Sequence, residues 1–162
     1  MNETVQKVEV PARQTQVSVW NLTVICVLGW LIPGMGHMLL KRVTHGLVFL
    51  VLIVFLFYWG LSLGAKIYHY EPQQPLTFFA MIAQTGMGIP YFLARYAVTY
   101  GQIHPDSSIA NFAQKFHFGQ GYIENVTFEY GNTFAIVAGL LNFLVILDAY
   151  DIATGKKELR NA

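Results

Sequence analysis

Histidine is the residue type in this sequence with the widest chemical range, because neutral imidazole binds both metal ions and haem iron. The chain has five histidines, at positions 37, 45, 69, 104 and 117. A helical metal site usually places two of them four residues apart, and no pair here has that spacing. His37 and His45 flank a proline- and glycine-rich segment and could both face a cavity, so they are the candidate ligands for a haem or chlorin. We predict no metal site and no cofactor, because nothing else in the sequence supports one.

Signatures of covalent or phosphate chemistry are also missing from the sequence. Gly34-x-Gly36 lacks the third glycine and the preceding strand of a dinucleotide-binding loop, and no phosphate-binding loop or nucleophile elbow occurs. We therefore expect the protein not to be an enzyme.

Carboxylates inside apolar segments are candidates for proton or ion transport. Three carboxylates lie near the ends of apolar stretches, at Glu129, Asp148 and Asp151. A transport pathway normally needs a carboxylate near the middle of the membrane, where this sequence offers amides and a hydroxyl instead: Gln84, Thr85 and Asn142. A small transporter or channel remains an alternative function.

The elements that must position these residues are apolar. Hydrophobic residues make up 54% of the 162 residues and charged residues only 12%. No charged side chain occurs in four intervals, 14–40, 43–65, 72–94 and 130–147. A membrane-spanning helix needs ~20 apolar residues, so these intervals predict an all-α, polytopic membrane protein with about four transmembrane helices. The net charge is +1 without a block of like charge, so we expect no nucleic-acid partner.

The domain boundaries follow from where the apolar stretches begin and end. A polar arm, broken by Pro11, precedes the first stretch, and a basic tail follows the last. We predict a flexible arm over 1–18, a membrane domain over 19–153 and a tail over 154–162. The predicted spans are 19–40, 44–66, 76–98 and 131–153.

Two of the predicted spans contain helix breakers. Pro33, Gly34 and Gly36 combine a missing amide donor with flexible backbone, so we expect span one to break at 33–36. Gly86, Gly88 and the helix breaker Pro90 interrupt span three, so we expect a kink around Gly86. Backbone groups freed at membrane depth need partners from protein or water, so the break of span one should be covered by a neighbouring helix or lie near the interface.

Small residues predict where helices approach each other closely. Gly60 and Gly64 form a GxxxG at the end of span two, and span four carries small residues on one side together with an amide that can bond across an interface. The predicted packing residues of span four are Gly131, Ala135, Gly139 and Asn142.

The one long connection contains an amphipathic pattern. Ile109, Phe112, Ala113 and Phe116 recur at helical spacing after capping candidates at 106–107. We predict an interfacial helix over 106–117, lying in the headgroup region or docking a partner.

The segment from Ile32 to Leu47, with its Pro33-Gly34-Met35-Gly36-His37 run, resembles the hairpin of small bacterial membrane proteins that are similar to the two-transmembrane-segment domain superfamily. The closing residues 147–151 resemble the Asp-Ala-Tyr ending of such proteins. The resemblance implies a helical protein of the bacterial inner membrane, from a group of largely uncharacterised function.

Many packing features and few chemical ones favour a non-enzymatic accessory, structural or assembly subunit of a larger membrane complex. The surfaces expected to contact the partner are span four and the bend of span one. The expected partners are membrane lipids and other integral membrane subunits, or further copies of this chain. The expected location is the bacterial cytoplasmic membrane, crossed several times. A transporter or channel and a cofactor-binding or pigment-binding membrane subunit remain the alternatives.

Overall fold

The structure is a computed structural model that describes residues 19–70, 73–115, 119, 121 and 126–155. The predicted arm and residues 156–162 of the predicted tail lie outside the described residues. The described part contains seven helices. They are α1 (Val19–Leu31), α2 (Met35–Leu39), α3 (Val43–Ser62), α4 (Pro75–Thr85), α5 (Ile89–Ile103), α6 (Ser108–Lys115) and α7 (Phe128–Ala153).

Two long apolar helices, α3 and α7, form the centre of the fold. Twenty residues at about 1.5 Å each give α3 a length of about 30 Å, which matches the hydrocarbon core of a bilayer. The two helices are antiparallel: Gly60 near the end of α3 lies against Gly131 near the start of α7. We call this end of the pair the Ser62 end, and the opposite end the Val43 end.

The structure has fewer spanning helices than the four predicted. Within the described residues, only α3 and α7 are long and apolar enough to cross a membrane alone, and the count reaches three if α4 and α5 are taken as one broken span. Predicted spans one and three each correspond to two shorter helices. The apolar stretches are long enough to cross, but a break divides each of them, at 32–34 and at 86–88.

The first broken segment is a hairpin that enters from the Val43 end. Ile25 in α1 packs with Ala149 and Ala153 near the end of α7. Four residues further on, the Gly29 carbonyl reaches the middle of α7. The chain then turns, and α2 runs back until Leu40 packs beside Ile25 again. Span one therefore does not cross.

The second broken segment is a hairpin on the Ser62 side. The chain turns by 120° between α4 and α5, so α5 runs back instead of continuing across. Near its beginning, α5 meets the tip of the first hairpin, because Gly88 lies against the Trp30 carbonyl. Further along, Arg95 and Val98 reach Lys66, which follows the end of α3. The kink expected around Gly86 is present as the break at 86–88. Pro90 occupies the first turn of α5, where its missing N–H breaks no hydrogen bond of the helix.

The end of α3 corrects a further prediction. Span two was expected to reach residue 66, but the helix ends at Ser62 and the chain continues in a turn. Gly64 has φ 90°, a left-handed conformation that favours glycine, so it forms the turn and is not part of a helical GxxxG.

The predicted interfacial helix is present as α6. It spans Ser108–Lys115 within the predicted 106–117, and residues 116–117 lie outside the described part of the chain. Ala110 and Ala113 are buried, with Ala110 beside Gly101 of α5, whereas Ile109 and Phe112 are exposed. The small residues thus face the protein, and the large apolar ones are available to the membrane interface.

Candidate functional site: the junction of two broken helices

The tips of the two hairpins meet beside the middle of α7, and prolines shape both tips. In a continuous helix the carbonyl of residue i accepts a hydrogen bond from the N–H of residue i+4. For Gly29 that donor would be Pro33, and for Gly86 it would be Pro90. Proline has no N–H, so each tip has a carbonyl that lacks its usual donor.

Asn142 of α7 supplies the missing donor to both tips. Its Nδ2 donates to the Gly29 carbonyl at 3.2 Å and to the Gly86 carbonyl at 2.7 Å. The side chain is fully buried. One amide therefore satisfies two carbonyls that, deep in an apolar environment, would each cost about 1 to 3 kcal/mol if left unpaired.

A second side chain bonds across the junction. Trp30 in the first hairpin donates its indole N–H to the Thr85 carbonyl at the end of α4, at 2.9 Å. The backbones also approach closely, since a Cβ added to Gly88 would lie 2.0 Å from the Trp30 oxygen. Gly88 has φ 62°, so both space and conformation require glycine there.

The small residues predicted on span four face the protein's own helices. A Cβ added to Gly139 would lie 1.9 Å from the Ala83 oxygen of α4. Gly131 approaches Gly60 of α3, and Ala135 is fully buried. The face expected to contact a partner is thus occupied by α3 and α4.

The two candidate haem ligands, His37 and His45, differ in burial. His37 is 2% exposed and its ring packs on Phe49, whereas His45 is exposed. The Nε2 of His37 lies 3.0 Å from a carboxylate oxygen of Asp148 on α7. This bond ties the returning helix α2 to the end of α7. Among the described residues, Nδ1 of His37 has no hydrogen-bond partner, and neither has Oδ1 of Asn142.

Within the described residues, no group of three His, Cys, Asp or Glu side chains could hold a metal ion. The two side-chain donors at the junction, Asn142 Nδ2 and the Trp30 indole N–H, bond to backbone carbonyls. These hydrogen bonds join the tips of the two hairpins to each other and to α7.

A second polar group holds the turn that follows α3. Asn132 of α7 accepts a hydrogen bond from the Lys66 amide at 2.9 Å. Gln84 of α4 donates to the Lys66 carbonyl at 2.9 Å and accepts from the Tyr68 amide at 3.0 Å. Tyr91 of α5 donates its hydroxyl to the Tyr68 carbonyl at 2.7 Å. Gln84 and Tyr91 lie seven residues apart in the sequence, but no local pattern shows that both bond to this turn.

Tyr68 itself has a perturbed ionisation. Partial burial of the side chain raises the pKa of its hydroxyl, and the negative charge of Glu129 raises it further. The hydroxyl therefore stays protonated to higher pH than that of an exposed tyrosine.

The chain can now be placed among known proteins. The model of a family of unknown function, DUF6677, matches residues 24–158. The chain belongs to this family. The DUF6677 match covers the first hairpin from residue 24 onwards, the whole second hairpin, α3, α6 and α7, so the junction lies inside the family's extent. No curated protein and no solved structure matches the chain.

The two tips of this DUF6677 chain carry a related sequence signal. The first tip reads Ile-Pro-Gly-Met-Gly over 32–36, and the second has the same two pieces, Gly-Met-Gly and Ile-Pro, in exchanged order over 86–90. Two such breaks, in a chain whose last apolar stretch contains one asparagine at its middle, indicate a shared partner for the two freed carbonyls.

Proposed function

We propose that this protein is a non-enzymatic membrane subunit that serves as a structural or assembly component of a larger membrane complex. The observation that supports this role is the use of its buried amides. Asn142, Gln84 and Asn132 all bond to backbone groups of a helix tip or a turn. Polar side chains used in this way build a fixed shape and leave few groups for chemistry on a substrate.

The surface available to such a partner is the outer face of α3. Its apolar side chains are about half exposed, and Phe55 stacks on Trp59 with ring centroids 5.5 Å apart. The small-residue face of α7, in contrast, is occupied within the chain. We therefore propose that the partner contacts the outer face of α3 and not the small-residue face of α7. The bacterial cytoplasmic membrane is the proposed location.

The test is extraction of the tagged protein from its native membrane in a mild detergent, followed by native sizing and mass spectrometry. A photo-reactive amino acid replaces Phe55 on the outer face, and a matched variant carries it in place of the buried Phe57. The proposal predicts a stoichiometric integral membrane partner that crosslinks to position 55 and not to position 57. A chain that migrates alone and crosslinks only to lipid contradicts it.

A small transporter is the second candidate, and the opposed hairpins favour it. Transporter sites often lie where discontinuous helices begin near the middle of the membrane, and both α2 and α5 begin at the junction. Flux of ions or small solutes into proteoliposomes that is abolished by Asn142→Leu would support this candidate over the structural one.

A further inference from the structure

A basic pocket lies at the Ser62 end, apart from the junction. It has a volume of about 330 Å³ and lies between the turn that follows α3 and the outer half of α5. Three of its lining residues are basic and two are neutral hydrogen-bonding residues. The lining includes Lys66, His69, Arg95, Thr99, Gln102 and Val98.

The charge of this pocket favours an anion. Lys66 and Arg95 carry positively charged groups, and the imidazole of His69 adds a further hydrogen-bonding group. No acidic side chain is among its lining residues in the described part of the chain. The hydroxyl of Thr99 and the amide of Gln102 supply further donors, which suits an oxygen-rich anion such as a phosphate.

The protein fixes the backbone that carries these cations. The Lys66 amide donates to Asn132, and the Lys66 carbonyl accepts from Gln84. The Lys66 ammonium lies 5.8 Å from the centre of the Tyr68 ring. Arg95 follows Ala94, which is buried in the core. The core thus fixes the position of the Lys66 backbone relative to that of Arg95. Binding one ligand with both side chains therefore costs less conformational entropy than it would on two mobile segments.

The pocket lies just past the end of α3, at the depth in a bilayer where lipid headgroups lie. Lys66 lies four residues beyond Ser62, where α3 has completed about 30 Å of apolar helix. Residues just past the end of a span lie at the level of lipid phosphates, and basic pockets at this level bind anionic headgroups. The exposed Phe112 of α6, which packs beside α5, is placed to contact the same interface.

We infer that this pocket binds a phosphate group, carried either by an anionic phospholipid or by a soluble phosphate ester. The inference goes beyond the proposed function, because it rests on the charges that line the pocket and names a ligand for them. It assigns Lys66 and Arg95 as the charge partners, with Thr99 and Gln102 as hydrogen-bond donors.

The experiment compares the intact protein with the double variant Lys66→Gln/Arg95→Gln in nanodiscs of phosphatidylcholine. The probes are dioleoyl phosphatidic acid incorporated into the disc, and inorganic phosphate or glycerol 3-phosphate added to the buffer. Binding is measured by native mass spectrometry and by the shift in unfolding temperature. The intact protein should bind either phosphatidic acid or the soluble phosphates, or both. Each cation near the membrane surface is worth about 1 kcal/mol, so the double variant should bind roughly 30-fold more weakly.

The matched control removes the same charge at the opposite end, with Lys41→Gln/Arg42→Gln in the exposed turn before α3. This variant should keep the affinity of the intact protein. Retention of phosphatidic acid alone supports the pocket and identifies the source as lipid. Saturable binding of the soluble probes supports it and identifies a soluble ester. Equal loss in both double variants, or no phosphate binding by the intact protein, overturns the inference.

Discussion

A single amide, that of Asn142, connects three segments of chain that are far apart in sequence. It bonds to residues 113 and 56 positions away, and each bonded carbonyl lies four residues before a proline. An asparagine at the middle of an apolar helix is costly unless it is bonded, and here its Nδ2 replaces the two donors that proline removed. Asn142 was predictable as an interhelical contact from its type and position. Its acceptors could be inferred only by combining this asparagine with the two distant proline breaks, because no local pattern around Asn142 shows which backbone carbonyls lie opposite.

Replacing Asn142 by leucine tests this role, because leucine has the same branching and number of side-chain heavy atoms but no hydrogen-bond donor. The variant should lose about 1 to 3 kcal/mol of unfolding free energy in detergent, because interhelical hydrogen bonds contribute roughly 0.6 to 2 kcal/mol each. Asn142→Asp should lose more, since a carboxylate would face two carbonyl oxygens. Unfolding in a titration with a denaturing detergent measures both. The control is Leu144→Ala on the exposed face of the same helix, and an Asn142→Leu variant as stable as this control would contradict the role.

Tyr68 predicts how stability depends on alkaline pH. The native state raises the pKa of its hydroxyl, so the unfolded state releases the proton first as pH rises. The stabilisation is fully present below the ordinary tyrosine pKa of about 10 and is lost as pH rises through the higher native value. The unfolding temperature of the intact protein should therefore fall more steeply above about pH 10 than that of Tyr68→Phe. Parallel curves for the two proteins would argue against this assignment.

At the scale of elements, the fold depends on helices that stop half-way. The sequence predicted a break at 33–36 and another near Pro90, and the structure has a break in each of these segments. It did not predict that each break reverses the chain. Direction after a break depends on backbone angles at glycines, such as φ 78° at Gly34 and φ 62° at Gly88, and on what the tip packs against. A composition count treats a hairpin and a kinked span alike, because both are about twenty apolar residues long.

Two glycines that contact neighbouring segments differ in how much space they have. A Cβ at Gly139 would overlap the α4 backbone, whereas a Cβ at Gly29 would meet its nearest atoms at an ordinary 3.5 Å. Gly139→Ala should therefore destabilise the protein by about 1 to 3 kcal/mol through overpacking. Gly29→Ala should be neutral or stabilising, because alanine favours a helix by about 1 kcal/mol over glycine. Thermal unfolding of the pair in one detergent compares them, and equal losses would show that the α4 contact does not limit packing.

At the scale of the molecule, two antiparallel helices support two opposed hairpins. This arrangement places the turn before α3 at one end of the molecule, and both the α3–α4 connection and the end of α5 at the other. A four-span arrangement would instead place the turn before α3 and the end of α5 on the same side. The sequence could give the helical membrane class, because that depends on composition. It could not give sidedness, because sidedness depends on whether each apolar stretch crosses.

Cysteine accessibility distinguishes these arrangements. In a Cys26→Ser background, single cysteines replace Lys41, Gln73 and His104, all of which are exposed. Positions 73 and 104 should react with a membrane-impermeant maleimide from the same side, and position 41 only from the other. Labelling of positions 41 and 104 from one side would mean that α4 and α5 cross the membrane as one span.

The position of Asn142 in the last helix also has a consequence for biosynthesis. The ribosome completes the first hairpin more than a hundred residues before it reaches the amide that caps it. Until Asn142 is synthesised, the Gly29 carbonyl lacks this donor, so we expect the first hairpin to have no fixed position in the bilayer. Nascent chains that stop before α7 are therefore expected to be unstable and to be degraded. The hairpins inserted earlier are thus expected to become stable only after α7 has been inserted beside them.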